Sequence, residues 1–352
     1  MTNRENFFHL IKGGKPERFP FILSMCDSLK AKFRDRYKTD DYLSFYDIPF
    51  AYAGNGPSRN TVDYSSYFSP GEVDYINHYG VGRKKGSIAH FEKFISPMRN
   101  FTSPEQVWAF PMEDYLAGYR WDGLAEKTAA LKKKDKIVIS GGLVIDIFEP
   151  AWYLRGMENL LVDFLTDPQM AAACLDRMAE LKYGAAARYA AAGVDVIIYG
   201  DDVGTERDMM MAPETWREWL KPRLAKAIRA AKDVNQDVLV YYHSDGDIRQ
   251  IIDDLIEIGI DILNPVQPEC MDPFQIYNQY KDRISFWGCI GTQTTMPFGT
   301  PDDIRKTVNS LLDLGRNDGR LILAPTHVLE PEVPLENVDA FVYAVKSFVP
   351  QN

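Results

Sequence analysis

Four cysteines in 352 residues, at positions 26, 174, 270 and 289, are too few and too scattered for a disulfide framework. Their use predicts a reducing, cytoplasmic setting. No apolar run approaches the ~20 residues that a membrane span needs, and Met1-Thr-Asn-Arg-Glu lacks the apolar core of a signal peptide. Positive charge is also scarce. Lys and Arg number 40 against 50 Asp and Glu, for a formal charge of -10, and no basic stripe stands out. That argues against nucleic acid as the main partner. The densest basic run, Lys132 to Lys134, reads as a solvated loop ahead of a strand. A glycine-rich dinucleotide turn is missing as well, which disfavours an open nucleotide-binding sheet.

What is present is a repeating pattern. Hydrophobic content of 45% with 26% charged residues is that of a globular chain with ample material for a core. Short β-branched runs predict strands at Phe19–Ser24, Lys136–Gly141, Val194–Asp202, Val238–Tyr242, Ile260–Pro265, Ile284–Gly288 and Arg320–Pro325. Apolar residues at helical spacing lie between them, as in Pro168–Ala191 and Pro301–Leu314. Strands alternating with helices imply a parallel sheet with crossover helices. The length suits closure into a single distorted (β/α)8 barrel. Residues 101–352 carry the regular repeats. Residues 1–100 read as an N-terminal elaboration, with loose Tyr-rich turns from about Ala51 and a small hairpin over Val81-Gly82 and Ser87–Ile95.

Every strand after residue 190 delivers polar residues to one rim, where parallel α/β folds bind ligands. These are Asp201 and Asp202, then His243 and Asp245, then Asn264 and Gln267, then Gln293, and finally Thr326 and His327. Taken singly, a strand-end Asp is commonly a helix cap; the convergence is what points to a site. His243 and Asp245 are two apart, so on an extended chain they face the same way. His-x-Asp is a workable chelating pair for zinc, and His327 from another strand end supplies a third ligand. The same donors suit iron or manganese. Cys270, after the Asn264–Glu269 turn, is either a fourth ligand or a packed core residue; Cys289 reads as core. His9, His78 and His90 do not stand at strand ends.

The chain resembles the uroporphyrinogen decarboxylase superfamily, and within it the branch similar to corrinoid-dependent methyltransferases. The likeness runs through Phe148-Glu-Pro-Ala-Trp-Tyr-Leu-Arg-Gly156, Gly200-Asp-Asp-Val-Gly204, His243-Ser-Asp-Gly246, Asn264-Pro-Val-Gln-Pro-Glu-Cys270, Pro297-Phe-Gly-Thr-Pro301 and Leu323-Ala-Pro-Thr-His327. The resemblance implies a single barrel and a zinc site. Methyltransferase members use His-x-Cys plus a later Cys. Here His243 matches the His, Asp245 stands at the first Cys and His327 at the second. Both thiolates are thus exchanged for harder donors, which speaks against thiol activation and for a metal that polarises an oxygen. Decarboxylase members grip their tetrapyrrole carboxylates with arginines near the first strand, and Leu23–Ser28 contains none.

The reading is a methyltransferase that moves a methyl group from a small O- or N-methylated substrate to a corrinoid on a partner protein. His243, Asp245 and Asp202 are its catalytic residues, and His243, Asp245, His327 and Cys270 its metal ligands. Asp201, Asn264, Gln267 and Gln293 orient substrate, and Tyr199, Tyr242 and Trp152 form apolar walls. The rivals are a metal-independent decarboxylase with an Asp201 or Asp202 acid, and a non-catalytic binding protein. A homodimer is expected from the resemblance alone.

Overall fold

The computed structural model describes residues 1–86 and 92–348. Ten strands occur among them: β1 Phe50–Gly54, β2 Tyr75–Ile76, β3 Gly82–Lys85, β4 Glu92–Ile95, β5 Ile137–Gly141, β6 Val196–Gly200, β7 Leu239–His243, β8 Ile262–Asn264, β9 Ser285–Ile290 and β10 Leu321–Pro325. Seven form one sheet in the order β1-β5-β6-β7-β8-β9-β10, and every pairing in it is parallel. Strands covered on both faces must be apolar throughout, and β9 and β10 are buried along their whole length.

The sheet is strongly curled. Phe50 on β1 and Trp287 on β9 are nearly at opposite ends of the strand order, yet their rings lie 4.7 Å apart. Tyr241 on β7 meets the same Trp287 edge-on at 5.3 Å. Beyond β10, the segment around Phe21 and Met25 forms isolated parallel bridges to Leu323 and Leu329. This extended segment occupies the place of an eighth strand, but among the described residues it has no ladder to β1. The fold is therefore an α/β, barrel-type curl of seven strands, where eight were expected.

The expected elaboration over residues 1–100 contains a wall strand, β1, at the start of the stretch expected to form loose turns. Its residues, Phe-Ala-Tyr-Ala-Gly, include none that is β-branched, and they alternate irregularly between buried and exposed, so they lack the usual strand signature. What is added to the curl is the antiparallel sheet β2-β3-β4. Of the hairpin expected near it, residues 87–91 lie outside the described residues, as does His90.

One helix, Pro168–Ala191, underpins the site. Its Lys182 is fully buried and donates to Asp146 Oδ1 at 2.5 Å, Val144 O at 2.8 Å and Tyr79 Oη at 3.1 Å. A buried ammonium is tolerated only when its donors are all engaged in this way. The bonds pin the loop after β5, which leads into the helix Phe148–Arg155 at the rim.

Candidate metal centre

The rim ends of β6 and β7 meet through two glycines. A Cβ on Gly204 would come within 2.6 Å of the Asp245 carbonyl, and one on Gly246, whose φ is +84°, within 2.5 Å of the Gly204 carbonyl carbon. Only glycine permits this approach. It is sealed by Asp247 N–H donating to Thr205 O at 2.8 Å and by Asp245 N–H donating to Asp202 Oδ1 at 2.8 Å.

The result is a cluster. Asp202, His243 and Asp245 each present a donor atom, all within 4.8 Å of one another. His243 Nε2 lies 3.5 Å from Asp202 Oδ1. Donors ~2.0–2.1 Å from a tetrahedral ion stand roughly 3.4 Å apart, so this spacing suits one cation. The other imidazole nitrogen, Nδ1, is 2.5 Å from Asn264 Oδ1, and Asn264 Nδ2 donates to Trp287 O at 2.6 Å. That chain makes Nδ1 the protonated nitrogen and leaves the Nε2 lone pair facing the carboxylates, which is how ligating histidines are held. Asn264, expected to orient substrate, thus orients His243.

The electrostatics reflect an imidazole set between two carboxylates, with no cation among them. Burial pushes the His243 pKa down, but Asp245, Asp202 and the Asn264 bond outweigh it and raise it overall. Burial raises that of Asp245, Asp202 adds to this, and His243 and His327 pull against it. Asp245 Oδ1 is buried with no hydrogen-bond partner. An orphaned buried carboxylate oxygen is costly, and a divalent cation would satisfy it. The donor set of one imidazole and two carboxylates fits zinc and harder metals.

A further carboxylate, Glu149, was missed in the sequence reading. It sits in the first turn of the helix after β5 and accepts from Tyr153 Oη at 2.8 Å. Burial first, then the charges of Asp202 and Asp146, push its pKa up to about 7, against the pull of the Tyr153 hydrogen bond and of His243. Its signal was present, because a helix start at a strand end of a parallel sheet faces the rim.

Other expectations shift. Of the expected ligands His327 and Cys270, neither joins the cluster of mutually close donors, whose third member is Asp202. His327 lies beside it and lines both adjoining cavities, one of about 250 Å³ with His243 and one of about 450 Å³ with Asp245. The Cys270 thiol is pushed up to about 11, by burial and by Glu206, Glu269, Asp245 and Asp247, which disfavours a thiolate. Gln267 and Gln293 line the larger cavity, and Gln267 also accepts from Gly246 N–H at 3.3 Å.

Asp201 is withdrawn from the rim: its buried carboxylate accepts the N–H groups of Ile147 and Glu149 at 2.9–3.0 Å, capping the helix Phe148–Arg155. Tyr199 and Tyr242 are not walls either. Both are buried, with hydroxyls donating to Ala227 O and Asp201 O. Strand side chains alternate, so a His243 that faces inward sends Tyr242 outward; the aromatic walls are Tyr52, Tyr241 and Trp287. Trp152 packs 5.7 Å from Phe94 of β4, away from these cavities.

A solved methyltransferase from Methanosarcina mazei shares the fold, with a TM-score of 0.70 at 18% identity over 99% of both chains. Xylanase 10B from Thermotoga maritima aligns at a TM-score of 0.39 and 10% identity, over 66% of this chain and 84% of its own. That likeness bears no weight. Among curated proteins, no sequence relative matches. The family model described as uroporphyrinogen decarboxylase (URO-D) matches residues 93–348, a span that holds Glu149, Asp202, His243, Asp245 and His327. The chain therefore belongs to the uroporphyrinogen decarboxylase family.

Proposed function

We propose that this protein is a metal-dependent methyltransferase that moves a methyl group from a small O- or N-methylated compound to a corrinoid held on a partner protein. The observation that carries the reading is the Asp202–His243–Asp245 cluster, with Asn264 holding His243 so that Nε2 faces the two carboxylates. The methyltransferase of the same fold from Methanosarcina mazei adds support.

Asp202, His243 and Asp245 would hold the metal, with His327 beside them at the mouth of both cavities. When bound, a divalent cation supplies positive charge next to a leaving oxygen or nitrogen. Tyr52, Tyr241 and Trp287 give the methylated group an apolar wall that keeps water away. Glu149, with a proton available near neutral pH, serves the demethylated heteroatom as a proton donor, and Tyr153 fixes its orientation. Gln267 and Gln293 offer amides to the polar end of the substrate.

The test is elemental analysis of the purified protein together with the visible spectrum of a reduced corrinoid mixed with methylated donors. About one equivalent of metal, lost in His243→Ala and Asp245→Ala, and methylation of the corrinoid by the wild type alone are expected. Absence of both from the wild type after metal reconstitution ends the reading. A second reading is favoured by Glu149 itself: a buried acid with a pKa near 7 can protonate a carbanion in a metal-free decarboxylation. Activity that survives a chelator and His243→Ala but not Glu149→Gln would select it.

A further inference from the structure

The cavity of about 250 Å³ beside His243 is walled by three aromatic side chains, Tyr52, Tyr241 and Trp287. Strand geometry puts them there. Tyr241 precedes His243 by two residues on β7, so the two share a face. Tyr52 follows Phe50 by two residues on β1, and the curl brings Phe50 to within 4.7 Å of Trp287 on β9. The rings of Tyr241 and Trp287 stand at 88° to each other, with centroids 5.3 Å apart. Walls at a right angle make a corner, and Tyr52 adds a third side to it. Tyr52 is also 46% exposed. A large ring left this open on a wall strand, beside a cluster of metal-ligating side chains, marks a binding surface.

The charges around the corner have one sign. Among the described residues, no lysine or arginine lines this cavity or the adjoining one of about 450 Å³. Asp245, Glu330 and Glu332 line the larger one. A divalent ion at the cluster would balance Asp202 and Asp245, but Glu330 and Glu332 would still keep the approach negative. Such a field repels an anion and gives a neutral molecule nothing. Aromatic faces are negative too, so rings and carboxylates act together on a cation.

We propose that Tyr52, Tyr241 and Trp287 form a cage for a small N-methylated ammonium ion, whose remaining part extends toward Glu330 and Glu332. This narrows the substrate from O- or N-methylated compounds to methylated amines held as cations. Recognition of the ion stands on the cage itself; its demethylation there rests on the methyl-transfer reading. In that transfer the methyl group passes to the electron pair of the reduced corrinoid, the C–N pair stays on nitrogen, and a neutral amine remains. The cage holds that product less tightly, because the charge that the rings attract is gone.

Isothermal titration of the intact, metal-reconstituted chain with choline, and with 3,3-dimethylbutan-1-ol as its neutral isostere, tests this. Choline is expected to bind at least about tenfold more tightly, since each ring face adds a few-fold for a cation alone. Tyr52→Leu is expected to weaken choline several-fold and leave the alcohol unchanged, whereas Tyr52→Phe, which keeps the ring, should retain choline affinity. Trp287→Leu should weaken choline further; if that variant does not fold, the half-exposed Tyr52 position decides alone. Equal binding of the two probes, or unchanged choline affinity in Tyr52→Leu, overturns the cage. Selective choline binding without methylation of a reduced corrinoid would uphold the cage and end the methyl-transfer reading. Methylation from O-methyl donors with no preference for choline over the alcohol would do the reverse.

Discussion

Asn264 shows how much one side chain does at the centre. Its Oδ1 engages His243 Nδ1 and its Nδ2 donates to Trp287 O, so it sets both the tautomer and the angle of the ring. Asn264→Ala is expected to lower metal affinity roughly 10–100-fold without unfolding the protein. Competition with a chromophoric chelator measures this, and unchanged affinity would refute the role. His78 is a second residue whose effect has a definite sign. Burial and the nearby Lys182, Arg120 and Arg83 lower its pKa in the folded chain. The unfolded chain therefore binds the proton more readily, and stability is lost as the pH falls below about 6.5. The contribution is fully present above that value. Denaturant melts at about pH 7.5 and about pH 5.5 should show a smaller loss in His78→Gln than in the wild type; equal losses would contradict it.

Among elements, the decisive contact is between the loops after β6 and β7. Gly204 and Gly246 allow the two backbones to touch, and Asp245 N–H donating to Asp202 Oδ1 joins the loops that carry two of the three donors. Gly246→Ala places a side chain at φ +84° and 2.5 Å from the Gly204 carbonyl carbon. The expected cost is about 1–3 kcal/mol of stability, together with loss of metal, because Asp245 and Asp202 would move apart. Calorimetric melting with metal analysis of the same sample checks both, and a variant that keeps its metal would show that the donors are held by something else. The helix Pro168–Ala191 acts on the same side of the fold, holding the Glu149 loop through Lys182 and Asp146.

For the whole molecule, a ligand that binds only the folded chain stabilises it by mass action. Zinc at a hundredfold excess over its dissociation constant should add about 2.7 kcal/mol, and the melting temperature should rise accordingly. In His243→Ala that rise should vanish. A rise that persists in the variant would put the metal elsewhere on this acidic surface. Among the described residues, no helix is long and apolar enough to cross a membrane.

The alternation of β-branched strands with helices was legible in the sequence, because parallel strands covered on both faces must be apolar throughout. So was the pair His243 and Asp245, because residues two apart on a strand end share a face. Family blocks such as His243-Ser-Asp-Gly246 carried the superfamily. β1 escaped notice because Phe-Ala-Tyr-Ala-Gly is neither continuously apolar nor β-branched. Asp202 was expected beside His243 as a catalytic residue, but only the tertiary structure decided that it stands among the metal donors while Asp201 caps a helix. Both end the same strand, and which carboxylate faces the rim and which caps the helix Phe148–Arg155 depends on where that helix packs. The same holds for Glu149, whose pKa of about 7 comes from burial beside Asp202 and Asp146. Local patterns set the elements, but burial and charge proximity arise from chain segments far apart in sequence, and those become neighbours only when the sheet curls.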